Sequence, residues 1–261
     1  MDLGLEGDSA LVTASSRGLG FASAEALARE GANVAICGTS PEHVEDAAAD
    51  LEDIGDGEML ALEVDITSRA EVEAFVEETV EEFGRLDHVV TSAGGVPSGT
   101  FLGTAEEDWY GAFDMLVMSH VWTLTAAHEH LVEGEGGTVT AITSTSVREA
   151  IPNLVLSNAV RRAVIGSIKT ISREWAPDVR ANAVLPGPHE TGRIRDLIEQ
   201  AIERGDYDDY GAARAEWADP VPLNRIGDPI ELGDTVAFLA SDRASFVNGV
   251  ALPVDGGRLR S

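Results

Sequence analysis

The chain has 261 residues, 44% of them hydrophobic, which suffices for a packed core and is too many for a disordered chain. Its 46 Asp and Glu against 18 Lys and Arg give a formal net charge of −28, and a surface that acidic repels phosphate backbones and anionic lipid heads. Cys37 is the one cysteine, so neither an intrachain disulfide nor a cysteine-based metal cluster is available.

The chain alternates short β-rich runs with longer helical ones. Ser9–Thr13 reads as a strand and Leu19–Arg29 as a helix. Ala32–Cys37 is a second strand, and Pro41–Leu51 a helix with proline in its first turn. Met59–Val64 is a third strand, Arg69–Phe83 a helix and His88–Thr91 a fourth strand. A long helical stretch covers Ala105–Val132, followed by a fifth strand at Thr138–Ile142 and a helix over Asn153–Trp175. Arg180–Val184 and Val250–Val254 are the sixth and seventh strands.

The strands lack polar alternation, as expected when helices cover both faces of a sheet. Strands alternating with helices imply βαβ units, a parallel sheet and an α/β, doubly wound fold. No linker or repeat divides the chain, so 1–261 is expected to form one domain. Pro186–Asn224, broken by Pro and Gly, is the candidate lid over the ligand crevice.

The first strand runs into Thr13-Ala14-Ser15-Ser16-Arg17-Gly18-Leu19-Gly20 and then a helix. Glycines there let backbone amides approach a pyrophosphate at a helix N-terminus, where the helix dipole favours negative charge. Position in the first βα unit favours nucleotide binding over a plain tight turn.

Thr13–Gly20 resembles the TGxxxGxG loop of the short-chain dehydrogenase/reductase family, with Ala14 at the first glycine. Val64-Asp65-Ile66 resembles that family's adenine-contacting segment, and Thr91-Ser92-Ala93-Gly94 stands where it has NNAG. Asn182–Gly187 is similar to its NxVxPG motif, with Thr191 at the threonine that meets the carboxamide. Pro222–Gly227 and Asn248–Gly257 resemble its C-terminal signature. The resemblance covers essentially the whole chain and implies a Rossmann-type sheet and an alcohol–carbonyl oxidoreductase using NAD(P)(H). The cofactor positions it implies are Thr13, Ser15, Ser16, Arg17, Gly18, Leu19, Gly20, Thr39, Asp65, Ile66, Ser92, Ala93, Gly94, Pro186, Gly187 and Thr191.

The second strand ends in Cys37-Gly38-Thr39-Ser40, without the carboxylate that accepts from a ribose 2′-hydroxyl at NAD sites. Arg17 could pair with a 2′-phosphate, with Thr39 and Ser40 adding hydroxyls. NADP(H) is therefore favoured, with NAD(H) left open.

The family's usual centre is Asn-Ser-Tyr-Lys. Anchored on Ala163-Val164-Ile165-Gly166, its lysine falls on Arg161, its tyrosine on Ser157, its serine on Ser144 and its asparagine on Leu116. This variant resembles an atypical branch often labelled 3-oxoacyl-carrier-protein reductases. Ser144, Ser157 and Arg161 are the candidate catalytic residues. A serine hydroxyl is far less acidic than a tyrosine's, and arginine keeps its proton, so the pair cannot repeat Tyr–Lys chemistry. Ser157 and Arg161 share a helix face, and Arg161 can stabilise an alkoxide or fork onto a substrate carboxylate. The alternative is a nucleotide-binding homologue without catalysis, a sensor or partner subunit. Halohydrin dehalogenases carry Ser-Tyr-Arg, and this chain departs from them at Ser157 and in keeping most of the glycine loop.

Arg148 and His189 are candidates for the pocket rim, and Trp217 for the lid. Arg162 points about 100° from Arg161 and is expected at the surface. The six histidines show no metal-ligand spacing, and no metal site is expected. Heavy Asp/Glu usage with Lys169 as the one lysine suggests adaptation to high salt. The segment Met1-Asp2-Leu3-Gly4-Leu5-Glu6 carries no basic region followed by an apolar stretch, and a cytoplasmic protein is expected. The family's habit implies a homotetramer or homodimer built through the helices around Ala105–Val132 and Asn153–Trp175.

Overall fold

Strands apolar on both faces need a helical layer on each side, and the computed structural model, which describes residues 2–134 and 136–260, has that form. Met1 and Ser261, the ends of the expected domain, lie outside the described residues. The strands are β1 (Ser9–Val12), β2 (Asn33–Gly38), β3 (Met59–Glu63), β4 (His88–Thr91), β5 (Gly137–Ile142), β6 (Val179–Pro186) and β7 (Ala251–Val254). They form one parallel sheet in the order β3-β2-β1-β4-β5-β6-β7, with Leu11 of β1 paired to Ala35 of β2 and to Val89 of β4. Strand order reverses at the β1–β4 boundary, where α/β sheets bind ligands beyond their carboxyl ends.

The helices are α1 (Gly18–Arg29), α2 (Pro41–Glu52), α3 (Arg69–Phe83), α4 (Glu106–Phe113), α5 (Ser119–Glu133), α6 (Val155–Glu174), α7 (Gly192–Glu203), α8 (Tyr210–Ala218) and α9 (Pro229–Ala240). α1, α2 and α9 cover one face of the sheet around Val12, Leu27, Ile36 and Leu232. α3, α5 and α6 cover the other around Leu11, Phe75, Val89, Leu131 and Ile168. Each such side chain contributes about 1.5–3 kcal/mol on burial, so the two clusters hold the layers together.

Two corrections concern helices. The stretch Ala105–Val132 is not one regular helix, because a wider π-helical segment, Asp114–Met118, separates α4 from α5 and carries the buried Leu116. The helix α9 went unrecognised in the sequence, although Asp228, Pro229 and Glu231 form a start signal there. Asp228 caps Ile230 N, and the Glu231 carboxylate returns to Asp228 N at 2.8 Å. α9 lies so close to α1 that a Cβ on Gly233 would sit 2.1 Å from Ala22 O. The candidate lid 186–224 holds α7 and α8, with α8 capped by Asp209 and Arg214 paired to Glu190 at 2.9 Å.

Motif asparagines bind the sheet edge. Asn182 accepts from Val250 N and donates to Val247 O, while Asn248 accepts from Ala181 N and donates to Ser172 O. Beside them Arg180 donates to Leu239 O, Ala240 O and Ser241 O at 2.9–3.1 Å. It places a cation on the orphan carbonyls at the negative end of α9. Arg180→Met keeps the stem and removes these bonds. It is expected to lower unfolding free energy by roughly 2–3 kcal/mol in a denaturant titration.

Candidate cofactor and active site

The site begins where β1 ends. Thr13 donates to Ser92 O at 2.7 Å and accepts from Ser92 N at 2.8 Å, joining the glycine loop to the segment after β4. Ser15 donates to Val12 O and accepts from Cys37 N, joining it to β2. Burial pushes the Cys37 thiol up to about 12, so this cysteine is an inert packing group. A Cβ on Gly20 would lie 2.6 Å from Ala14 O, so the first turn of α1 closes on the loop only with glycine there. Ala14 has φ +47, the left-handed conformation that favours glycine.

A cleft of about 700 Å³ opens beyond the carboxyl ends of β3, β2, β1, β4 and β5. At β2 and β3 it is lined by Thr39, Ser40, His43, Asp65, Ile66 and Thr67. Over β1 it is lined by Ser16, Arg17, Gly18, Leu19 and Gly20, with Thr191 and Gly192 from the start of the segment 186–224. At β4 and β5 it meets Ser92, Ala93, Gly94, Gly95, Met115, Thr143 and Arg161. The donor set suits an elongated dinucleotide, with amides and a cation for phosphates and hydroxyls and a carboxylate for the sugar and base end.

Twelve of the sixteen expected cofactor positions thus share one cleft wall. Thr13, Ser15, Pro186 and Gly187 do not line it. The first two brace the loop from behind, and a Cβ on Gly187 would lie 2.8 Å from Asp255 Cα, so this turn packs on the chain after β7. His43, Thr67, Gly95, Met115 and Thr143 were missed. Only His43 had a sequence signal, a polar ring in the first turn of the helix after β2.

Of the three catalytic candidates, only Arg161 lines the cleft, and it donates to Gly94 O at 3.3 Å. Ser144 caps the short turn Thr145–Val147 and accepts from Ser146 N at 3.1 Å. The Ser157 hydroxyl is buried and 3.0 Å from the hydroxyl of Ser146, a partner the sequence did not single out. Asn158 bonds the Ile151 backbone in both directions and fixes the start of α6.

Other pocket candidates go elsewhere. Arg148 donates to Ala251 O and does not line the cleft. Trp217 does not line it either, and His189, 4% exposed, faces a separate cleft with Arg225 and Asp255. Burial lowers the pKa of the His189 imidazole. Among the described residues no cluster of His, Cys, Asp or Glu could hold a metal, and no helix is long and apolar enough to cross a membrane.

The family model described as enoyl-(acyl carrier protein) reductase matches residues 13–258. The chain belongs to the short-chain dehydrogenase/reductase family. A 3-oxoacyl-[acyl-carrier-protein] reductase of Chlamydia muridarum is 30% identical over 249 residues, covering 95% of this chain and 96% of that protein. Among solved structures, L-sorbose reductase of Gluconobacter frateurii, complexed with NADPH and L-sorbose, superimposes with a TM-score of 0.95 at 30% identity, covering 100% of each chain. A short-chain oxidoreductase of Pseudomonas aeruginosa PAO1, described as containing an atypical catalytic center, matches at 0.92 and 29%, covering 98% of this chain and 99% of that one. Membership makes this short-chain dehydrogenase/reductase an oxidoreductase, and its NADPH-complexed neighbour supports a nicotinamide cofactor.

The left-handed Ala14 gives a direct test of the loop. A left-handed alanine costs about 1–2 kcal/mol, and glycine gives back about 0.5–1 kcal/mol in unfolded-state entropy. Ala14→Gly is therefore expected to raise the unfolding free energy by roughly 0.5–1 kcal/mol, read by denaturant titration.

Proposed function

We propose that this protein is an NADP(H)-preferring oxidoreductase that interconverts an alcohol and a carbonyl on a polar or acidic small molecule. The observation that carries the cofactor preference is the cleft wall at the tip of β2. Arg17, Thr39, Ser40 and His43 stand there, and Asp65 is the one carboxylate among the described lining residues. A ribose 2′-phosphate finds a guanidinium and hydroxyls in place of a repelling carboxylate.

A bound nicotinamide cofactor would supply or accept the hydride. The chain's own groups do the rest. Arg161 offers a fixed positive charge to an oxyanion or substrate carboxylate at the inner end of the cleft. Ser144 and Ser157 would relay a proton to the substrate through water, in place of a tyrosine; the Ser157 hydroxyl pairs with that of Ser146, while Ser144 accepts from Ser146 N.

A second reading, a cofactor-binding homologue without turnover, is favoured by one observation. The Ser157 hydroxyl turns to Ser146, and neither it nor a tyrosine is among the described residues lining the cleft.

The same proposal extends to a homotetramer or homodimer in a salt-rich cytoplasm. Half-exposed to exposed Tyr110, Phe113 and Val121 on α4 and α5 support the assembly, and the charge of −28 supports the salt.

Three measurements test the proposal. Calorimetric titration is expected to give much tighter binding of NADPH than of NADH, and Arg17→Ala to weaken NADPH roughly 10–100-fold while leaving NADH nearly unchanged. Absence of binding to either nucleotide by folded protein overturns the cofactor reading. Ser157→Ala is expected to lower kcat by roughly 10–100-fold with the NADPH Kd unchanged. Tight NADPH binding with no turnover of keto acids, sugar acids or sugars selects the second reading. The melting temperature is expected to rise between about 0.1 and 2 M KCl as self-repulsion is screened.

A further inference from the structure

The inner wall of the cleft is the short segment 92–94 after β4, and side chains from three elements pin it. Thr13 holds Ser92 to β1, and Arg161 holds Gly94 O from α6. The third pin, His120 on α5, acts one residue earlier, at Thr91. It is 3% exposed, with Nδ1 2.9 Å from Thr91 Oγ1 and Nε2 2.8 Å from Ser167 Oγ on α6.

Chemistry fixes the direction of these bonds. The Ser167 hydroxyl donates to Val164 O at 2.8 Å, so it offers the ring only lone pairs. Nε2 therefore carries the hydrogen and donates to Ser167, and Nδ1 accepts from Thr91. Donation runs one way, from Thr91 through His120 and Ser167 to Val164, across β4, α5 and α6. Burial pushes the imidazole down to about 4, which keeps the ring neutral at neutral pH.

We infer that His120 is a positioning residue: through Thr91 and Ser167 it locks segment 92–94 to α6, so that the two inner walls of the cleft are set together. His120 does not line the cleft. An apolar side chain could fill the same volume, yet only a ring with one donor and one acceptor ties both neighbours at fixed direction. The role deepens the cofactor reading proposed above, because Ser92, Ala93, Gly94 and Arg161 are the walls that would meet the cofactor's inner half.

The test uses Ser167→Ala, which removes one hydroxyl from a half-buried position outside the cleft, with His120→Leu as the stronger variant. In cofactor-free protein, amide hydrogen exchange over 92–94 is expected to speed up about tenfold in Ser167→Ala, with α1 and β5 unchanged. Ser167→Thr, which keeps the hydroxyl, restores the slow exchange. Combining His120→Leu with Ser167→Ala adds nothing to His120→Leu alone, because both break one chain. The NADPH Kd rises about tenfold in the same variants. Unchanged exchange over 92–94 in Ser167→Ala and in folded His120→Leu overturns the inference, as does acceleration spread evenly over the whole chain. If the exchange coupling holds while wild-type protein fails to bind NADPH, His120 keeps its positioning role and the cofactor reading falls.

Discussion

The site depends on the reversal of strand order between β1 and β4. At that boundary the chain leaving β1 must turn one way and the chain leaving β4 the other, which opens a crevice no side chain fills. Thr13 spans it with one hydroxyl, donating to Ser92 O and accepting from Ser92 N. That exchange fixes the glycine loop against segment 92–94, and the rest of the cleft is built outward from it. Ser15 and the inert Cys37 brace the loop toward β2, while Arg161 and His120 brace the other wall toward α6.

On the proposed reading, the chemistry at the inner end would be set by what serine and arginine can do. A tyrosine beside a lysine supplies an acidic proton whose pKa a neighbouring cation lowers. Ser157 has no such proton, and its hydroxyl is held by Ser146 in a buried pair. Arg161 supplies charge without a proton to give. On the proposed reading, catalysis here rests on electrostatic stabilisation by Arg161.

The acidic surface and the cleft work in opposite senses. A net charge of −28 repels a polyphosphate ligand at long range, and molar salt screens that repulsion over about 3 Å. Within the cleft Arg17 and Arg161 would meet such a ligand at contact distance, where screening is weaker. On the proposed reading, cofactor capture would thus depend on a few local cations in a strongly negative field.

Sequence alone determined the seven strands and the parallel α/β class, and it singled out most of the residues that line the cleft. Local signals carry these features: unbroken apolar runs, a glycine loop opening a helix, and motifs in family order. It also placed Ser144, Ser157 and Arg161 on neighbouring elements, because thirteen residues and a four-residue helical step are read off the chain. Only the tertiary structure decided where their polar atoms point. Ser157 turns to Ser146, Arg161 to Gly94 O and Arg148 to Ala251 O, since each side chain answers to partners far along the chain. The π-helical break at Asp114–Met118 and the one-way chain through His120 were equally invisible, because they depend on how α5 seats between β4 and α6. A sequence pattern fixes which face of an element is buried, whereas the direction of a hydrogen bond is fixed only when both partners and their other bonds are known.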